Sequence, residues 1–147
     1  MTKKIKPGDF AAIVARDVKR YQSAAISALY DEAVKIINKS IPITPLDAGD
    51  LRRSAFVTKP YDSGANQIEV ELGYGGFASK YALAVHEMGI KPKKEINWKE
   101  PGTGAKYLEK PFNTATKGQA KRLQANAMKK FLSGFTAIVS QANSEPR

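Results

Sequence analysis

The sequence contains no cysteine. Disulfides, thiolate metal sites and a cysteine nucleophile are therefore excluded. Histidine is almost as scarce, since His86 is the only one. A metal site would have to rest on carboxylates, and acids are the rarer charge: 14 against 24 lysines and arginines, a formal net charge of +10. That imbalance favours acidic partners, either nucleic acid or an acidic protein surface. No apolar run approaches the ~20 residues that cross a bilayer, so no membrane partner is expected. The start, "MTKKIKPGDF", lacks the apolar block of a signal peptide. What is present is enough for a packed core, because a chain of about 150 residues can bury roughly 68–70% of its unfolded surface. The expected organisation is one domain over 1–147, with an N-terminal tail at 1–8, a long exposed loop at 91–104 and a C-terminal tail at 144–147.

Hydrophobic spacing predicts a long helix from Asp9 to Lys39, with Asp9 as its N-cap and Pro42 and Pro45 ending it. "DAGDL" reads as a turn or a single helical turn, capped by Asp47. "QIEVELGYG" alternates, with Ile68, Val70, Leu72 and Tyr74 on one face, and predicts a strand that closes a β-hairpin over 54–75. "SKYALAVHEMG" predicts a short helix capped by Ser79 and ended by Gly89, with Tyr81, Ala82, Val85 and Met88 sharing a face. A last helix is expected from Pro111 to Asn143 on a stripe that includes Phe112, Leu123, Ala127 and Phe131, weakened at Gly118 and Gly134. Its polar side is purely basic, because no acid occurs between Glu109 and Glu145. The fold class expected is α+β: a small antiparallel sheet flanked by a long N-terminal helix, a short middle helix and a long C-terminal helix.

The chemical readings narrow quickly. His86 has Glu87 beside it, but neighbours on a helix point about 100° apart, which makes Glu87 a poor orienter. A half-buried histidine at a packing seam is the simpler reading. Asp47 and Asp50 could share a helical face, yet Arg52 and Arg53 explain them as capping and pairing groups. "GYGG" and "GTGAK" lack the spacing of a phosphate-binding loop. No catalytic, metal or cofactor site is expected, and the chain reads as a non-enzyme. Lys94, Trp98, Lys99, Lys106, Tyr107 and Lys110 interleave charge with aromatics. That series fits either a solvated lysine face or sequence-independent contact with nucleic acid.

Three segments, in order, resemble a known family. "TPLDAGDLRRS" is similar to the T-P-[VL]-D-T-G-x-L-R-x-S segment of small tailed-bacteriophage neck proteins, also called minor capsid, head–tail joining or tail-completion proteins. "YALAVHEMG" resembles their Y-A-x-x-V-H-E-G segment, and "GAKYLEKPF" their late aromatic–leucine segment before the C-terminal helix. Ala48 stands where the family usually has threonine, and Met88 separates Glu87 from Gly89.

The resemblance implies a structural virion protein, assembled in the host cytoplasm and located at the neck or tail top. It implies a homo-oligomeric ring, expected as a hexamer, between connector or head-closure proteins and tail-terminator or tail-tube proteins. Non-specific contact with DNA in the channel is a further expectation. A tail terminator or head-closure protein is the alternative within that setting, and a basic sequence-independent DNA-binding protein the alternative outside it. The residues expected at subunit or partner contacts are Asp47, Gly49, Leu51, Arg52 and Arg53 at the corner, Tyr81, His86 and Glu87 on the middle helix, and Lys91, Lys93, Lys94 and Trp98 on the loop.

Overall fold

A computed structural model describes residues 6–45, 49–65, 67–88 and 99–144, without the side chains of Phe10 and of residues 135–144. The chain is α+β. Within it two compact units are distinguished. One takes in the residues through Leu29 and those from Ala120 onward, and the other is Tyr30–Gln119.

Helix α1 runs from Pro7 to Ser40. The fixed φ of Pro7 suits a first turn, so residues expected in the tail already belong to the helix. Asp9 is therefore not the N-cap; it sits in the first turn, where its carboxylate accepts the Lys6 N–H at 3.4 Å. A short 3₁₀ turn, Ile41–Ile43, follows with its proline at the start. The Thr44 N–H then bonds back to the Ser40 and Ile41 carbonyls. The next helix, α2, is only Asp50–Arg53. Its N-cap is Gly49, at φ 80, with no side-chain cap. The left-handed conformation is cheap for glycine alone, which displaces the expected cap, Asp47, a residue outside those described.

The expected hairpin forms as two nested ladders. Strand β1 (Ala55–Val57) pairs antiparallel with β4 (Leu72–Tyr74), and β2 (Tyr61–Gly64) with β3 (Gln67–Glu69). Pro60 lies between them and has no N–H to give a ladder. Thr58 bridges the gap: its N–H donates to the Glu71 carbonyl at 2.8 Å, and its hydroxyl accepts the Glu71 N–H at 2.9 Å. The alternating face does not bury as expected. Ile68 is 37% exposed, while Gly73 is buried. The Phe56 ring covers Gly73. A Cβ on Gly73 would lie 3.4 Å from it, and one on Gly75 only 3.1 Å. The aromatic ring occupies the space that larger side chains would need.

Helix α3 spans Ser79–Glu87, with Ala78 rather than Ser79 at the cap; the Ser79 hydroxyl donates to the Gly76 carbonyl at 2.7 Å. Gly89 lies outside the described residues. Of its expected inner face, Ala82 is buried and Val85 half-buried, but Tyr81 and Met88 are exposed. The expected final helix is divided into α4 (Glu109–Thr116) and α5 (Gln119–Ser144). Gly118, at φ 68, makes the break, whereas Gly134 stays inside α5. Pro111 falls in the first turn of α4 as expected and is buried, but Phe112 is exposed.

In the first unit, small residues let the helices approach: Ala24, Ala28 and Ala127 are buried. Tyr21 meets Phe131 edge-on at 5.8 Å, and the Arg20 guanidinium lies over the same ring at 5.2 Å. In the second unit, Leu51, Ala78, Ala82 and Tyr107 form the core, with Ile43, Tyr74, Val85 and Leu108 against it.

Candidate assembly corner

The second unit brings the three family-like segments together. Tyr107, from the third, is 2% exposed, and its hydroxyl donates to the Ala82 carbonyl of the second at 2.8 Å. Its ring meets Tyr74 and His86 edge-on, each at 5.0 Å. Leu51, from the first segment, completes the cluster. Burial pushes the Tyr107 phenol up to about 12, with Tyr74 and Tyr81 adding to it.

Under this core lies a polar knot. The Ser40 hydroxyl donates to the Tyr107 carbonyl at 2.8 Å, and the Thr44 hydroxyl to the Ser40 carbonyl at 2.9 Å. Both hydroxyl oxygens also lie within 2.8 Å of the Tyr74 hydroxyl. Their protons are already committed to carbonyls, so the single Tyr74 phenolic proton is shared between the two oxygens. Burial raises its pKa. Ser40 and Thr44 are fully buried, and every deeply buried side-chain polar atom among the described residues has a partner. Such complete satisfaction is what makes an interior polar network stabilising instead of costly.

Arg52 closes the corner. Its Nε donates to the Thr44 carbonyl at 2.8 Å, and its terminal nitrogen donates to the Pro42 carbonyl at 3.4 Å and to the Glu100 carboxylate. The Gly104 N–H bonds to the Ile43 carbonyl at 3.1 Å. The end of the expected exposed loop is thus docked on the corner. Arg53 faces solvent and pairs with Asp50.

At the outer edge, Lys106 adopts φ 59, uncommon outside glycine. Its N–H bonds to the His86 carbonyl at 2.8 Å. Its ammonium lies 2.9 Å from both Glu87 oxygens and 2.7 Å from Glu109. Contrary to the expectation from helix geometry, Glu87 does meet His86, with Oε1 2.9 Å from Nδ1. Glu87 is the last helical residue, where its side chain can swing back toward its neighbour. The other ring nitrogen, Nε2, accepts the Glu109 N–H at 3.4 Å, so both imidazole nitrogens are engaged inside the fold. The hydrogen bond from Lys106, then that from His86, holds the Glu87 carboxyl below its usual range. Glu109, then Glu87, raises Lys106.

These shifts set a pH dependence. Glu87 is lowered on folding, so its contribution is present above the ordinary value of 4.5 and is lost as pH falls through the folded value. The Glu87→Gln variant should lose part of the acid-side slope in a plot of melting temperature against pH. An unchanged slope would mean the trio contributes nothing to stability. Lys106 is raised above 10.5, so its contribution holds below that value and fades only at higher pH.

Beside this edge lies an open groove of about 410 Å³, bordered by Tyr74, Leu83, His86, Glu87 and Tyr107. Leu83 is 71% exposed. Among the described residues, no cluster of three or more histidines and carboxylates is placed to hold a metal, and no helix is long and apolar enough to cross a membrane.

Of the residues expected at contacts, Leu51 is buried inside the unit, Arg52 is turned inward, and Gly49 serves the backbone. Arg53 and Tyr81 are exposed, and His86 and Glu87 border the groove. Asp47, Lys91, Lys93, Lys94 and Trp98 lie outside the described residues. Sequence reasoning missed Ser40, Thr44, Tyr74, Glu100 and Glu109 as members of the corner. Tyr107 stood inside a quoted segment, but nothing local separates a buried tyrosine from an exposed one. Comparison of the chain with protein-family models, with curated proteins and with solved structures finds no match.

Proposed function

We propose that the chain is a structural virion protein of a tailed phage, joining head connector to tail as a neck or tail-completion ring. The observation that carries this reading is the convergence of the three family-like segments on one hydrogen-bonded corner. Segments separated by tens of residues serve one structural purpose, through Leu51, Ala82, His86 and Tyr107. The corner spends its polar groups internally, which suits a rigid scaffold more than a reaction centre. Large apolar side chains remain outward: Phe77 is 68% exposed, Val18 52% and Leu132 52%.

The test is a phage whose genome encodes this chain, with the gene interrupted. Heads and tails should accumulate separately, and added protein should join them. Intact infectious particles without the chain would overturn the reading. The basic face of α5 favours a second reading, sequence-independent DNA binding. In that case the purified protein would retard DNA with a steep salt dependence, and head–tail joining would not depend on it.

A further inference from the structure

The chain's charge is unevenly divided. Between Lys59 and Lys80 it carries Asp62, Glu69 and Glu71 and no base. From Lys110 to Ser144 it carries lysines and an arginine and no acid. The β2–β3 hairpin is thus an acidic projection on a basic protein, and α5 is its opposite.

Each surface also presents apolar atoms among its charges. Tyr61 stands opposite Glu69 in the ladder, and its hydroxyl donates to Glu71 at 2.5 Å and reaches Glu69 at 3.3 Å. One hairpin face therefore offers an aromatic ring, 38% exposed, beside two carboxylates. The hydrogen bond to Glu71 pushes the Tyr61 phenol up to about 12. Among the described residues, no cation pairs with Asp62, Glu69 or Glu71. On α5, Lys121, Ala125, Met128, Lys129 and Leu132 are all exposed. At 100° per residue they fall on one side of the helix, with Lys121 and Lys129 bordering Met128 and Leu132. Leu123, Ala127 and Phe131 take the other side.

We infer that the Tyr61–Glu69–Glu71 face of one chain docks on the Lys121–Met128–Lys129–Leu132 face of a second copy. Glutamates meet lysines, and the tyrosine ring meets the methionine and leucine, a favourable sulfur–aromatic pairing. Hairpin against hairpin, or α5 against α5, would set like charges together. The contact therefore joins unlike surfaces, and repeated head to tail, each copy giving its hairpin to the next, it builds a closed ring. This deepens the ring reading above and rests on it for its biological setting.

The experiment uses the purified full chain and charge reversal, with mass measured by light scattering after size exclusion. The wild type should self-associate, and the association should weaken by about tenfold or more from ~50 to ~500 mM salt, as surface charge pairs are screened. Glu69→Lys/Glu71→Lys should be monomeric, and so should Lys121→Glu/Lys129→Glu. Mixing the two variants should restore assembly, because each then supplies the face that its own kind lacks. Circular dichroism checks that each variant is folded. If one is not, the Glu→Gln and Lys→Gln pairs replace the reversals, and each should weaken association severalfold. A wild type that stays monomeric, reversals that assemble normally, or folded variants that fail to rescue each other would overturn the contact. Assembly insensitive to these reversals, with head–tail joining still dependent on the chain, would discard this interface alone. Intact phages without the chain would discard the neck reading instead.

Discussion

Tyr107→Ala should destabilise the second unit by about 3–5 kcal/mol, the usual cost of deleting a buried aromatic ring. Tyr107 is the largest fully buried side chain among the described residues. Its ring separates Tyr74 from His86, its hydroxyl holds the Ala82 carbonyl, and its own carbonyl accepts the Ser40 hydroxyl. Removing it opens a cavity where all three family-like segments meet. A small domain holds only about 5–15 kcal/mol in total, so the variant should be near unfolding at growth temperature. Tyr107→Phe separates packing from hydrogen bonding. It keeps the ring and should cost about 1–2 kcal/mol, the loss of one buried hydrogen bond. Urea unfolding of both variants measures the two quantities. Equal costs for Phe and Ala would show that the ring contributes little, and that the corner is held by its polar groups alone.

Arg52→Ala should cost about 2–3 kcal/mol, because a charged donor to several acceptors is lost from a half-buried site. The Thr44 and Pro42 carbonyls and the Glu100 carboxylate would all lose a partner. Thr44 is itself fully buried, so its carbonyl cannot readily turn to water. Arg52→Lys should not restore the loss, since an ammonium lacks the planar fork that reaches acceptors in different directions. Arg53→Ala, one residue on, should change stability by less than about 0.5 kcal/mol, because its pair with Asp50 is exposed. The contrast bears on assembly. Replacing both arginines together confuses folding with association, whereas Arg53→Ala leaves the subunit intact and tests association by itself. Thermal and urea unfolding of the three variants would check the ranking. Equal effects for Arg52 and Arg53 would remove the clamp from the account of the corner.

Much of the local structure was legible from residue order alone. Helix α1 follows from apolar spacing, and a hairpin over 54–75 was legible from alternation and turn residues, though not its division into two ladders. The break between α4 and α5 was foreshadowed by Gly118, though it was expected only to weaken one helix. Capping was the least legible feature. Asp9 and Ser79 have the chemistry of caps, but each sits one or more positions inside its helix. At the corner, Gly49 supplies a backbone angle that no side chain could replace.

Charge and composition determined other things outright. No cysteine chemistry is available to this chain, and acid and base are segregated between the hairpin and α5. Both are properties of the chain itself and need no fold to be read. What only the tertiary structure decided is which polar groups meet. Arg52 and Arg53 are alike in sequence, yet one turns inward onto carbonyls of its own chain and the other faces water. Tyr107 and Tyr81 are alike in type, yet one is buried and the other 38% exposed. Glu87 reaches His86 because α3 ends there, and Lys106 reaches Glu87 because its backbone turns left-handed. These outcomes depend on how the whole unit packs, and local spacing carries no record of them.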